Sequence, residues 1–244
     1  MSTDAKPLAL VTGARCRVGR RLSERLIAEG WDVIAHVRRP DDEVAEGARA
    51  VAGDLADPAI GEKLLDAAGA PLDLLVNNAA RFAPDSLDAF STDEFAAHMA
   101  VNLQAPALLT QAMAKRHPEG HRAAIINILD AKLASPNPDF LSYTLSKSGL
   151  AALADIAARA LAPKGIRVNG IAPALMLQSA GQGPDDFKRV HALNPLGHGV
   201  EPDELVDAVL YLARAPGVTG QTLILDAGQR FMALPRDVQY LEKE

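Results

Sequence analysis

The stretch Leu8-Ala9-Leu10-Val11-Thr12-Gly13-Ala14-Arg15-Cys16-Arg17-Val18-Gly19 runs from a short apolar segment through a glycine turn into a window of helical periodicity. Gly13 lets the chain turn sharply, and Gly19 lets the following helix pack closely on a sheet. Such a strand–turn–helix unit aims the loop N–H groups and the helix N-terminus at one spot, which attracts a pyrophosphate. Any tight strand-to-helix turn can use glycine, so the pair gains meaning only from its surroundings.

Those surroundings alternate. Leu8–Thr12, Asp32–Val37, Arg49–Gly53, Leu72–Asn77, Ala123–Leu129, Arg167–Ile171 and Gln221–Leu225 are short runs, apolar almost throughout and bounded by turn residues. Strands covered by helices on both faces have this pattern. Helical windows lie at about 18–29, 58–68, 92–116, 141–162 and 202–213, with Asp57-Pro58 and Glu201-Pro202 as helix starts. The expected fold is α/β: a single Rossmann-type domain over 1–244, with a doubly wound parallel sheet of about seven strands and helices on both faces. Ligands of such sheets bind beyond the carboxyl ends of the strands, where the strand order reverses.

Length and composition agree. A 244-residue chain buries roughly 70–75% of its unfolded surface as one domain and needs no disulfide or metal. Hydrophobic residues at 48% and charged residues at 23% exclude disorder and collagen-like repeats. A net charge of −6 argues against nucleic acid as a general partner. Cys16 is the single cysteine, which fits a reducing compartment. The N-terminal apolar run is too short for a signal peptide. The uncharged stretch Phe95–Ala114 is interrupted by polar residues and reads as a buried helix, not a membrane span. A cytoplasmic protein is expected.

The second strand ends in His36-Val37-Arg38-Arg39, about 20 residues past the glycine loop, where NAD sites carry an acid for the ribose hydroxyls. Guanidiniums there, with Arg15 near the same sheet end, would bind a 2′-phosphate through charge-assisted bonds. NADPH is therefore favoured over NADH. A solvated basic loop is the alternative for either arginine alone.

Tyr143 and Lys147 stand at i and i+4, on one face of a helix. A phenol titrates near 10 and does little proton chemistry at neutral pH unaided, and a nearby ammonium would favour its ionised form.

On these residues the chain resembles the short-chain dehydrogenase/reductase family over nearly its full length. The elements that carry the likeness are the Thr12–Gly19 loop, Asp54-Leu55, Asn77-Asn78-Ala79, Asn102, Tyr143 with Lys147, Arg167-Val168-Asn169 and Ala172-Pro173. The resemblance implies that Tyr143 is the acid/base. Lys147 would bind the nicotinamide ribose and tune Tyr143, Asn102 would support a water relay, and Asp54 would contact adenine. It places Gly13, Arg15, Arg17, Val18, Gly19, His36, Arg38, Arg39, Leu55, Asn77, Ala79 and Pro173 in the cofactor site as well. A homotetramer built through helices 92–116 and 141–162 is implied too.

Two departures narrow the reading. Most members have a glycine at Arg17 and a serine thirteen residues before the tyrosine, where this chain has Asp130. Both features are similar to pteridine reductases and to dihydromonapterin and dihydrofolate reductases of this family, whose pterin-stacking aromatic falls at Phe82. Ala80, in place of a pterin-contacting serine, and Ala174-Leu175-Met176 depart from that subgroup. An ionised aspartate only accepts hydrogen bonds, so Asp130 would oppose alkoxide formation but suit a substrate bearing amino and ring N–H donors. Asp130 as a turn cap and Phe82 as loop packing are the plainer readings, and Arg17 could serve either phosphate or substrate. The expected activity is NADPH-dependent reduction of a dihydropterin or dihydrofolate C=N bond. A carbonyl reductase and a non-catalytic NADPH-binding scaffold are the alternatives.

No metal site is expected, since His98, His117, His121, His191 and His198 lack ligand spacing and read as loop or surface residues. Asp41-Asp42-Glu43 reads as a helix start, Gln178–Asp186 as a mobile substrate loop, and Arg230–Glu244 as a tail able to reach a neighbour's active site.

Overall fold

The computed structural model describes residues 6–178 and 183–241. Seven strands, β1 (Leu8–Val11), β2 (Asp32–Val37), β3 (Arg49–Ala52), β4 (Leu74–Asn77), β5 (Ala123–Ile128), β6 (Ile166–Pro173) and β7 (Thr222–Leu225), form one parallel sheet in the order β3-β2-β1-β4-β5-β6-β7. The order reverses between β1 and β4, whose register pairs Val11 with Val76. Seven helices connect and cover them: α1 (Arg17–Ala28), α2 (Ile60–Ala68), α3 (Thr92–Met99), α4 (Ala105–Arg116), α5 (Leu141–Leu161), α6 (Pro184–Ala192) and α7 (Pro202–Arg214).

Successive strand residues point to opposite faces, and both faces of the inner strands β2, β1, β4, β5 and β6 are buried, while the edge strands β3 and β7 are exposed to half-buried. Ala9 and Val11 join Leu22 and Leu26 of α1 and Leu205 and Val209 of α7 in one core. Leu10 and Leu75 join Leu64 of α2, Leu109 of α4 and Ala154 of α5 in the other. The near-continuous apolar strands are the sequence signature of this two-sided burial.

Four expectations are corrected. The window 92–116 is two helices joined by a π-helical turn at Ala100–Gln104, which carries Asn102. Asp41-Asp42-Glu43 starts no helix; Asp42 sits in a turn, accepting the Arg39 N–H at 3.0 Å and pairing with Arg15 at 3.6 Å. His98 is fully buried in α3, where its Nε2 accepts the Ala83 N–H at 3.3 Å, and His191 lies half-buried in α6 with Nε2 donating to the Leu175 carbonyl at 2.8 Å. Of the stretch Gln178–Asp186, residues 179–182 lie outside the described residues, while Pro184 opens α6. Among the described residues no helix is long and apolar enough to cross a membrane.

Candidate active site

A cleft of about 650 Å³ opens at the carboxyl ends of β1, β4, β5 and β6, beside the strand-order reversal. Gly13 and Gly19 at one end, Asp130, Tyr143 and Lys147 in the middle and Asp237 at the other all line it. The volume is that of a small-ligand site.

The nucleotide end is built on close approach. Gly13 has φ +67°, and a Cβ there would stand 3.0 Å from Ala79; a Cβ on Gly19 would collide with the Gly13 carbonyl. Thr12 Oγ1 accepts the N–H groups of Asn78 and Ala79, each at 3.0 Å, while Asn78 Nδ2 donates to the Thr12 carbonyl at 2.8 Å. The first turn of α1 has N–H groups without intrahelical acceptors. Cys16, at its N-cap, makes no side-chain cap hydrogen bond, so those donors remain for an anionic ligand. Arg17 opens the helix with φ +53° and donates from Nη2 to the Gln178 carbonyl at 3.2 Å. The left-handed conformation explains why glycine suits this position, and arginine keeps it at a cost of about 1–2 kcal/mol.

Not every expected cofactor residue lines the cleft. His36 is buried beneath the loop: Nε2 donates to the Gly53 carbonyl at 3.0 Å and Nδ1 accepts the Gly13 N–H at 3.2 Å. It shapes the loop, and burial lowers its pKa, which keeps the acceptor nitrogen free of a proton. Asn77 turns into the sheet, donating to Asn127 Oδ1 at 2.8 Å, and leaves the loop-locking role to Asn78. Arg38 and Arg39 stand exposed just beyond β2; just beyond β3, Asp54 is exposed and Leu55 is buried in the core. Val18 and Pro173 line the cleft.

At the middle, α5 presents Tyr143 and Lys147 on one face. Asp85, from the segment before α3, caps this helix by accepting the Ser142 N–H at 3.1 Å and the Ser142 hydroxyl. Tyr143 Oη donates to Asp130 Oδ2 at 2.8 Å. The other oxygen of Asp130 accepts the Lys132 N–H at 2.8 Å and caps the 3₁₀ turn Ala131–Ala134, so the turn-capping and site readings of Asp130 hold together. Lys147 Nζ donates to the Ile128 carbonyl at 2.6 Å.

The electrostatics correct one expectation. Burial, and then the Asp130 carboxylate, raise the Tyr143 phenol well above its ordinary value, so it is held protonated and does not drift toward phenolate. Asp130 keeps an edge on the cleft but is shielded enough from water that desolvation raises its pKa, partly offset by the N–H of Lys132 and by Tyr143. Desolvation lowers Lys147 to about 8, with Asp130 opposing.

Asn102 does not face the cleft; Oδ1 accepts the Arg81 N–H at 2.7 Å, and Nδ2 contacts the Arg81 carbonyl and Ser146 Oγ, each at 2.9 Å. It ties the 80s segment to α5. Phe82 lines the cleft, stacks on Phe140 with ring centres 4.3 Å apart and meets Tyr143 edge-on at 4.8 Å. Lys132, Gln229, Arg230, Leu234, Asp237 and Val238 carried no sequence motif, yet they line the cleft's far end, and the buried Phe140 and Asp139 pack against them. Lys132, two residues past Asp130, had a local signal; the rest depend on tertiary folding. The described part of the tail expected to reach a neighbour packs on its own chain through Arg236 and Asp139, with Nη2 to Oδ1 at 2.8 Å. Residues 242–244 of that tail lie outside the described residues.

The profile of the family described as enoyl-(acyl carrier protein) reductase matches residues 13–230. Two solved structures are similar along nearly all their length: alternative dihydrofolate reductase 1 (FolM) from Brucella canis and from Brucella suis, both complexed with NADP. They are 37% and 36% identical, with TM-scores of 0.87 and 0.86, and each comparison covers 93% of this chain and 95% of the other. L-xylulose reductase from Mesocricetus auratus is 34% identical, over 90% of this chain and 95% of its own.

Proposed function

The chain belongs to the short-chain dehydrogenase/reductase family, and on that premise we propose that it is an NADPH-dependent reductase of a dihydropterin or dihydrofolate-type C=N bond. Support for the cofactor comes from the glycine cradle, the uncapped first turn of α1 and the arginines Arg15, Arg38 and Arg39 where an NAD site would carry an acid. The NADP complexes of the similar Brucella reductases support it as well. When bound, NADPH supplies the hydride.

This chain's residues handle the proton. Tyr143, held protonated, donates from its hydroxyl to the ring nitrogen as the adjacent carbon becomes C–H. Asp130 accepts the hydroxyl's hydrogen bond beforehand; once Tyr143 has given up its proton, Asp130, whose affinity for one is raised by burial, takes a proton from solvent and passes it to the phenolate. Lys147 places a positive charge on the same helix face, fixed by the Ile128 carbonyl. Gly13, Val18, Gly19, Ala79 and Pro173 shape the cofactor bed, His36 and Asn77 stiffen it from behind, and Asp54 and Leu55 close its adenine side. Arg17 and Phe82 would meet the substrate.

A single observation carries the pterin reading over ketone reduction: the 2.8 Å bond from Tyr143 Oη to Asp130 Oδ2 puts a carboxylate beside the reacting atoms. A carboxylate disfavours a developing alkoxide and accepts from substrate N–H donors. The likeness to L-xylulose reductase favours a second reading, a carbonyl reductase.

The test is NADPH oxidation with dihydrobiopterin, dihydromonapterin, dihydrofolate and a ketone panel that includes L-xylulose, with NADH in parallel. Turnover of a dihydropterin with NADPH is expected, and turnover of ketones alone would overturn the reading. We also infer a homotetramer in the cytoplasm. Supporting the assembly, Leu145 and Ile156 stand exposed three turns apart on one face of α5.

A further inference from the structure

Beyond β7 the chain turns back over its own cleft, where Gln229, Arg230, Leu234, Asp237 and Val238 form part of the wall. Several contacts seat this segment. Arg236 grips the buried Asp139 carboxylate from Nε at 2.8 Å and from Nη2 at 2.8 Å. The Asp237 N–H donates to Asp139 Oδ2 at 2.8 Å. Tyr240 lies nearly parallel to Phe140 with ring centres 5.8 Å apart, and Phe140 continues through Phe82 to the edge of Tyr143.

The same seating delivers the Asp237 side chain to Lys132. Its Oδ2 stands 3.6 Å from Nζ, with the two side chains 20% and 8% exposed. Lys132 also donates to the Asp139 carbonyl and lies 5.3 Å from the Phe140 ring centre. A charge pair withdrawn this far from water gives back in attraction little more than it loses in hydration. The segment is already held by Asp139, Arg236 and the stacked rings, so the fold gains little from a further pair at the cleft wall. A carboxylate there can do something the anchors cannot. It accepts hydrogen bonds from a bound molecule, and Lys132 can neutralise it or offer a donor alongside.

We propose that Asp237, carried into the cleft by the C-terminal segment of the same chain, is a specificity-determining residue. It accepts from neutral hydroxyl or amino groups of the substrate and turns away substrates bearing carboxylates. The inference rests on the reductase of pterin-type substrates argued above. It adds a second acid to the site, opposite the nucleotide loop and distinct from Asp130, with a role in selection and none in proton transfer.

The experiment compares wild type with Asp237→Asn and Asp237→Glu on two probes that share a reduced pterin ring: dihydrobiopterin, whose side chain is a neutral diol, and dihydrofolate, whose side chain ends in carboxylates. NADPH affinity from fluorescence and thermal melting serve as controls for folding and cofactor binding. Asp237→Asn should raise KM for dihydrobiopterin by about tenfold, the loss of one charge-assisted hydrogen bond. KM for dihydrofolate should hold or fall, and kcat for either should change less than about threefold, within what no proton-transfer role allows. Asp237→Glu, which keeps the charge, should restore part of the preference and serves as the informative variant if asparagine destabilises the segment. An unchanged preference in a folded Asp237→Asn protein with wild-type NADPH affinity would overturn the proposal and leave the pterin reading intact. Failure of wild type to reduce either probe would overturn both.

Discussion

Lys147 is buried with its ammonium fixed on the Ile128 carbonyl, and loss of hydration draws its pKa from an ordinary 10.5 down to about 8. The sign follows directly. Below about pH 8 the side chain is the cation that the site uses, and above it the charge is lost, so kcat/KM should fall on the alkaline side, tenfold per pH unit once well past the midpoint. A pH–rate profile still flat at pH 9 would contradict this. Helix spacing places Tyr143 and Lys147 on one face, and the family resemblance singles out Asp130 thirteen residues before the tyrosine; the structure brings the three together. The direction of the phenol's shift was not legible in the sequence. Spacing shows that an ammonium is near, but only the fold shows that Asp130 is the nearer charge and that water is excluded. Lys132 and Asp237 were illegible for a related reason: their meeting depends on the path of the whole chain between them. Arg17 lies between these cases, since its place in the glycine loop was plain and its φ of +53° was not.

The inner strands read well at the scale of elements, because burial on both faces leaves an apolar run, and the exposed edge strands β3 and β7 follow from the alternation. Helices read well only where their pattern is unbroken. The π turn at Ala100–Gln104 adds a residue without interrupting the apolar spacing, so 92–116 looks continuous, although Asn102 reaches Arg81 and Ser146 only because of that turn. Helix α6 hid behind a glycine- and glutamine-rich lead-in. The joint where α1 meets the loop that precedes it is close-fitted, since a Cβ on Gly19 would strike the Gly13 carbonyl. Gly19→Ala should therefore push α1 off the sheet, lowering stability by about 1–3 kcal/mol and weakening NADPH affinity together. Denaturant unfolding and fluorescence titration check the pair. A loss of stability with unchanged affinity would separate the joint from the cofactor bed.

For the whole molecule, alternation leads to a doubly wound parallel sheet with a reversal of strand order, and the structure puts that reversal between β1 and β4, beside the cleft. Assembly is the open question at this scale. If α5 mediates it, Ile156→Asp, which adds a charge to a residue 68% exposed, should leave the fold intact and reduce the oligomer to smaller species, as read by light scattering after size exclusion. An unchanged mass would place the interface elsewhere. The composition of the cleft has a consequence for how the protein comes into being. Its walls join Gly13, from the first strand–helix turn, to Val238, beyond the last strand. No early-forming fragment of the chain contains the pocket. Because contacts so distant in sequence cost the most loop entropy to close, refolding should restore the helical signal before NADPH binding, as circular dichroism and cofactor fluorescence followed in time would show. The ability to bind and turn over a substrate should thus be the last property that refolding restores.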